Sequence, residues 1–444
     1  LCWLESLDGP QQCFELQPIA VRAQPPQRPV GGDVAVLAAL DAAPIPGVAW
    51  LYVTSGTDQL KLRLDPGTAV PAASAGLALF EPLNLVLPVP GDGFAGVRSP
   101  DHARGLFSRV RQLSQDYLGH MTEWLKDLGV GLRRHSAPSL MIIDQTDVEF
   151  PWELTEIEPN CFLGAEMTVA RWVKIGTYGT RHLPVERQDL TATGKVLHLL
   201  DDTLAQSNGP ERDQLDKCLS YPVSSSDVLS KSLRQPEQFG LIYLACHGAF
   251  LNVQMQFAAP HKALWSEGQT HSIHYVDLAL LQPVMPDDER LHRLPVVIIN
   301  ACHSGRLAWT PVGLGGMPRL FLSTVARALI GTLGQVEETE ASRMGAAILA
   351  RALQETDGVV LADLLRDLRA AAAKGFRADS ATDKQWQRLA NTFMYVYYGD
   401  PRIRLDLCAE HNVAAAAEDA MPNIAVPSAC EPEDVSEPIN HDNC

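Results

Sequence analysis

From about residue 80 onward, short apolar runs alternate with stretches of helical period, the pattern of an α/β chain. Leu83 to Val89 reads as a strand. Between 101 and 128, Leu106, Val110, Leu113, Tyr117, Met121, Trp124 and Leu128 recur three or four apart, predicting one amphipathic helix. Ser99 or Asp101 is its candidate cap and Gly129 its candidate end. A buried strand follows at Leu140 to Ile143, then the segment Phe150-Pro-Trp-Glu-Leu154, whose Trp152 reads as a packing anchor. A second run opens with the strand Val196 to Leu200, closes on Asp201-Asp202 and continues into a polar helix over 211–220. Leu241 to Cys246 and Val296 to Ile299 are apolar without alternation, which suits strands covered on both faces. Helices are expected at 318–329, 341–354 and 359–374, the last stopped by Gly375, and a final strand at Phe393 to Tyr398. Upstream, Leu60, Leu62 and Leu64 alternate with Lys61 and Arg63, as in a half-buried strand of a small β-rich region. The pattern predicts an α/β fold, with strands and helices in alternation.

Composition sharpens this picture. With 46% hydrophobic and 20% charged residues, the chain of 444 residues is not wholly disordered. Its 36 Lys+Arg against 53 Asp+Glu give −17, a balance that argues against direct nucleic-acid binding, where clustered cations must displace counterions. Residues 1–30 end in Pro25, Pro26 and Pro29 and read as an extended arm. Residues 409–444 hold eight acids, four prolines and no Lys or Arg, the composition of a disordered acidic tail. The most apolar window, Val34 to Val53, is broken by Asp41, Pro44, Pro46 and Gly47, so no membrane span is expected. Leu1 to Pro10 has no cationic flank and does not read as a secretory signal. The nine cysteines are dispersed with no C-x-x-C pair, which points to reduced thiols in a cytoplasmic protein and no metal site.

The candidate chemistry is a cysteine and a histidine. His247 follows one predicted strand, and Cys302 follows another, 55 positions downstream. In an open parallel sheet, the loops beyond the strand C-termini form the ligand crevice, so residues distant in sequence meet there. An imidazole beside a thiol can take its proton and generate the nucleophile. Gly248 allows close backbone approach, and the amides of Gly248 and Cys302 are candidate oxyanion donors. No cofactor is needed. His303 follows the nucleophile and is expected to point away from the cleft.

Leu241-Ile-Tyr-Leu-Ala-Cys-His-Gly248 and Val296-Val-Ile-Ile-Asn-Ala-Cys-His-Ser-Gly305 resemble the histidine and cysteine strands of the CHAT family of caspase-like proteases. In caspase-type enzymes the histidine likewise lies about 50 residues before the cysteine. Phe150–Leu154, Ala328-Leu-Ile-Gly-Thr-Leu333 and Tyr398-Gly-Asp-Pro401 fall in the family's order. The resemblance covers about 80 to 405. It implies a caspase-like, mostly parallel sheet flanked by helices. It also implies four regions: an arm and small β-rich region (1–79), an inactive lobe (80–190), a protease lobe (191–408) and the acidic tail (409–444). It implies a cysteine endopeptidase using Cys302 and His247 on a protein partner, in a bacterial conflict or immune system (CRISPR-linked or gasdermin-type), with an activating protein or effector complex. By position, Asp201, Asp202, Asn300, Glu337 and Glu338 would frame the pocket for the residue before the scissile bond, favouring a cation weakly over a neutral side chain. Two features complicate this. Asn300 stands where metacaspases carry an acid, and acids before a helix near 341 favour its N-terminus whatever the function. The alternative function is a caspase-like scaffold that binds partners with Cys302 unused.

Overall fold

The computed structural model describes residues 45–67, 83–88, 99–132, 139–173, 190–251, 261–265, 272–274 and 293–408, with breaks at 46, 56–58, 147, 149, 202–203, 205–208, 224–225 and 311–312. The expected N-terminal arm and acidic tail lie outside the described residues, as does Asp202.

One sheet of eleven strands organises the molecule. Its strands are β1 (Val48–Ser55), β2 (Gln59–Asp65), β3 (Leu83–Pro88), β4 (Ser139–Asp144), β5 (Thr168–Trp172), β6 (Lys195–Leu200), β7 (Ser220–Pro222), β8 (Phe239–Ala245), β10 (Val296–Asn300), β11 (Ala328–Thr332) and β12 (Tyr395–Gly399), with a separate strand β9 (His247–Leu251) outside it. The order across the sheet is β7-β6-β8-β10-β11-β12-β5-β4-β1-β2-β3. Strands β7, β6, β8, β10 and β11 run parallel. Strands β12, β5, β4 and β1 form a second parallel block. The blocks meet antiparallel at β11 and β12. Every residue of β10, β11 and β12 is buried, as continuous apolar runs require.

The strands around residues 48–65 do not stand apart as a small β-rich unit. β1 pairs parallel with β4, and β2 and β3 continue the same sheet antiparallel. Leu60, Leu62 and Leu64 face inward as their alternation requires, and that inward face is the common core. The division between blocks also departs from the order of the chain. β12, near the C-terminal end of the described chain, joins β5 and lies on the N-terminal block's side of the seam.

The expected helix over 101–128 is two helices, α1 (Pro100–Tyr117) and α2 (Gly119–Leu132). Ser99 caps α1 by accepting from the His102 amide, and the break falls at the fully buried Leu118, not at Gly129. The other helices that matter here are α3 (Gly209–Leu215), α4 (Met317–Thr324), α5 (Glu338–Gln354), α6 (Leu361–Ala373) and α7 (Asp383–Met394). The helix expected over 318–329 ends at Thr324, where the Ser323 and Thr324 hydroxyls both donate back to the Leu320 carbonyl. Ala328–Thr332 is instead strand β11 of the sheet. A short apolar run has no periodicity to separate strand from helix, and pairing on both sides decides it.

Helix α7 replaces part of the expected final strand. It opens with a capping box: Thr382 Oγ1 accepts from the Gln385 amide, and the Gln385 side chain accepts from the Thr382 amide. Trp386 and Phe393 of α7 join Phe107, Phe162 and Phe376 in an aromatic cluster with neighbouring centroids as close as 4.8 Å. Thr382→Ala is expected to lower stability by about 1 kcal/mol, read as a lower urea midpoint. An unchanged midpoint would mean that aromatic packing alone holds this end of the helix.

Candidate active site

The parallel block sets the geometry. β6, β8, β10 and β11 are adjacent and run the same way, so Asp201, His247, Cys302 and the 333–337 loop follow four neighbouring C-terminal strand ends. The chain rule that ligands gather at this edge applies here.

Cys302 sits in a tight turn locked onto the end of β11. His303 adopts φ 60°, a left-handed conformation uncommon outside glycine, so the chain reverses directly after the cysteine. The His303 amide donates to Gly334 O at 2.9 Å, and the Gly305 amide donates to Thr332 O at 2.8 Å. Ser304 Oγ donates to Ile299 O (2.8 Å) and accepts from the Thr332 amide (3.0 Å). Thr332 Oγ1 donates to Ala301 O at 2.8 Å. Gly331 is required beneath this turn, because a Cβ there would lie 2.9 Å from Gly305 N and 3.0 Å from Ser304 Oγ. Tyr398 OH donates to Gly305 O at 2.7 Å from the facing strand. The Ala328–Leu333 and Tyr398–Pro401 segments thus hold the cysteine turn. Ser304 and Thr332 both lie within the motifs that carry the family resemblance, yet nothing in the sequence alone marks either as a support of the cysteine turn.

The histidine strand end lies directly over this turn. A Cβ on Gly248 would stand 2.1 Å from Cys302 O and 3.0 Å from Cys302 N, so the two backbones are in contact. The imidazole of His247 is 33% exposed, and its Nε2 lies 4.0 Å from Asp201 Oδ2, whose side chain is not exposed at all. Cys302 Sγ lies 3.8 Å from Val336 O. The structure therefore brings together Cys302, His247, Gly248 and Asp201.

Of the rest of the expected pocket, Glu337 follows Val336, whose carbonyl oxygen meets Cys302 Sγ, whereas Asn300 is engaged elsewhere. Asn300 is buried and turned into the interior. Its Nδ2 donates to Glu211 Oε1 (2.7 Å) and Ala341 O (3.0 Å), while Tyr395 OH donates to its Oδ1 (2.6 Å). Tyr243 OH also donates to Glu211. Burial raises the Glu211 carboxyl above its usual range, against hydrogen bonds from Tyr243, Asn300 and Ser342 that pull it down. Gly345 of α5 makes room for the network, since a Cβ there would fall 2.0 Å from Tyr243 OH. Glu337 is the N-cap of α5, its carboxylate accepting from the Thr339 and Glu340 amides at 3.1 and 2.9 Å. Glu338 is exposed in the first turn of that helix. The helix-terminus role expected for acids there thus holds for Glu337.

Two of the remaining thiols are poor nucleophiles. Burial pushes Cys218 up to about 11 and Cys246 higher still. On the other block, Trp152 is fully buried against Phe150 and donates to Asp144 Oδ2 at 3.3 Å. Glu153 forms a two-pronged pair with Arg171 at 2.9 and 2.6 Å. Burial works against the Glu153 charge, but Arg171, Arg369 and a backbone hydrogen bond together outweigh it and hold the carboxyl below its usual range. Phe150–Leu154 is thus a core and charge-pairing segment.

The family model for the CHAT domain matches residues 128–393, more than half of the chain. The chain belongs to the CHAT domain family. No curated protein matches it in sequence. Among solved structures, it is similar to separase in complex with securin from Saccharomyces cerevisiae, with a TM-score of 0.46 and 9% identity, over 81% of this chain and 30% of that one. It is also similar to the Arg-specific cysteine proteinase gingipain R, with a TM-score of 0.39 and 10% identity, over 61% of this chain and 65% of that one. For caspase-1 from Spodoptera frugiperda, the TM-score is 0.28 and the identity 11%, over 51% and 98%. The CHAT chain thus spans less than two thirds of the gingipain and separase chains. Its architecture is a large and mostly parallel sheet with helices packed against it.

Proposed function

We propose that this CHAT domain is a cysteine endopeptidase, with Cys302 as nucleophile and His247 as its acid–base partner. The observation that carries this reading is the contact of Gly248 with the Cys302 backbone, which holds the histidine strand end over the cysteine turn. In the reaction, His247 accepts the Sγ proton as sulfur attacks the scissile carbonyl carbon. The amides of Gly248 and Cys302 stabilise the oxyanion. The C–N bond breaks, His247 returns the proton to the leaving amine, and an acyl-thioester remains. Water, deprotonated by His247, then releases the acid and restores the thiol.

The substrate in this reading is a specific protein partner. The role in a bacterial conflict system, the activating partner and the cytoplasmic setting rest on the family resemblance and on composition. Among the described residues, no helix is long and apolar enough to cross a membrane.

Thiol reactivity tests the reading. Cys302 is expected to react with iodoacetamide at least ~10-fold faster than Cys161, Cys218, Cys246 or Cys408, and His247→Ala should slow it, because the thiolate is the reactive form. Mass spectrometry of tryptic peptides gives each rate. A Cys302 that labels no faster than the surface thiols would refute the peptidase.

A further inference from the structure

The geometry points to Asp201 as the positioning residue of His247, making a row of carboxylate, imidazole and thiol. This rests on the peptidase reading and changes the role of one residue within it. By its place at the end of β6, Asp201 is a candidate for contacting the substrate side chain. Three observations assign it to the histidine instead.

The first is sheet order. β6, β8 and β10 are consecutive neighbours, so their C-terminal ends present Asp201, His247 and Cys302 in that sequence across the edge. The Asp201 amide donates to Ala245 O at 2.9 Å, which ties its backbone to the strand that delivers His247. The second is distance. The Asp201 carboxylate lies 4.0 Å from Nε2, close enough for charge attraction but longer than a hydrogen bond. Catalytic hydrogen bonds are often long in the free enzyme and tighten when substrate binds. The third is exposure. The imidazole is one third exposed and the carboxylate not at all. A residue that pairs with a substrate side chain must be reachable from the cleft, whereas one that orients a histidine need not be.

The chemistry follows from the two ring nitrogens. A carboxylate facing Nε2 favours a proton on that nitrogen, which leaves Nδ1 as the base for the thiol. It also stabilises the imidazolium that forms when the thiol gives up its proton. Asp201 neither accepts a proton nor touches the substrate in this arrangement.

Asp201→Asn tests the assignment, since it keeps the shape and removes the charge. The variant is expected to lower kcat by at least ~100-fold with KM little changed. It should slow iodoacetamide labelling of Cys302, a reagent with no side chain to be selected, and leave the ranking of residues before the scissile bond in a peptide library unaltered. A changed ranking with labelling at the wild-type rate would overturn the proposal and return Asp201 to the substrate pocket. A second measurement needs no variant at position 201. In the ¹⁵N-histidine NMR spectrum of the wild-type protein, with His247 assigned by its loss in His247→Ala, Nε2 should carry a proton at neutral pH. A bare Nε2 would also overturn the proposal. If wild-type Cys302 is itself no more reactive than the other thiols, the peptidase reading fails first, and that result is distinct from a reactive Cys302 indifferent to Asp201.

Discussion

Cys302→Ala and His247→Ala are each expected to lower kcat/KM for the protein substrate by about four orders of magnitude or more, with thermal melting within a few degrees of wild type. The size follows from the proposed roles. Without sulfur no acyl-thioester forms, and without the imidazole neither the thiol proton nor the leaving amine is served. Members of such a unit are not additive, so the double variant should be no slower than the slower single one. Both side chains sit at strand ends and are partly exposed, so their removal leaves the buried strands β8 and β10 intact. The check is cleavage of the partner by matched amounts of each variant, beside their melting curves. Near-wild-type cleavage by either one would refute the mechanism.

The second large effect is expected from Gly248→Ala. The added methyl would lie 2.1 Å from Cys302 O and 3.0 Å from its carbonyl carbon and amide nitrogen. These are backbone atoms, so no rotamer relieves the clash. The cysteine turn cannot yield easily, because His303, Ser304 and Gly305 are all bonded to the 332–334 segment or to β10. The histidine strand end must therefore lift away. A displacement of about 1 Å at a reacting centre is enough for a ~100-fold loss, and this one would separate the proposed nucleophile, base and oxyanion donors together. Activity should fall by at least that factor, with the melting temperature little changed. Full activity in Gly248→Ala would mean that the two strand ends stand further apart in the working enzyme.

Much of the fold is legible in the sequence because it is local. The unbroken apolar runs of β8 and β10 announce buried strands, and Gly375 marks the end of α6 by its positive φ. The boundaries that went astray are those set by pairing. Ala328–Thr332 has the composition of either element, and its neighbours β10 and β12 make it a strand. The capping box at Thr382 and Gln385 was a readable signal for α7 that the apolar run after it concealed.

The places of Cys302, His247 and Gly248 were determined by the sequence alone, because segments that follow neighbouring parallel strands meet at one edge of the sheet. The surrounding carboxylates and amides were decided only by tertiary structure. Asn300 has the right position for a substrate pocket, yet it is drawn into the core by Glu211, Tyr395 and Ala341. A polar side chain goes where its hydrogen bonds can be satisfied, and those partners come from α3, α5 and β12, far along the chain. Asp201 was also placed by tertiary structure: its neighbour across β6 and β8 is His247, a relation that sheet order creates and that no spacing in the sequence reveals.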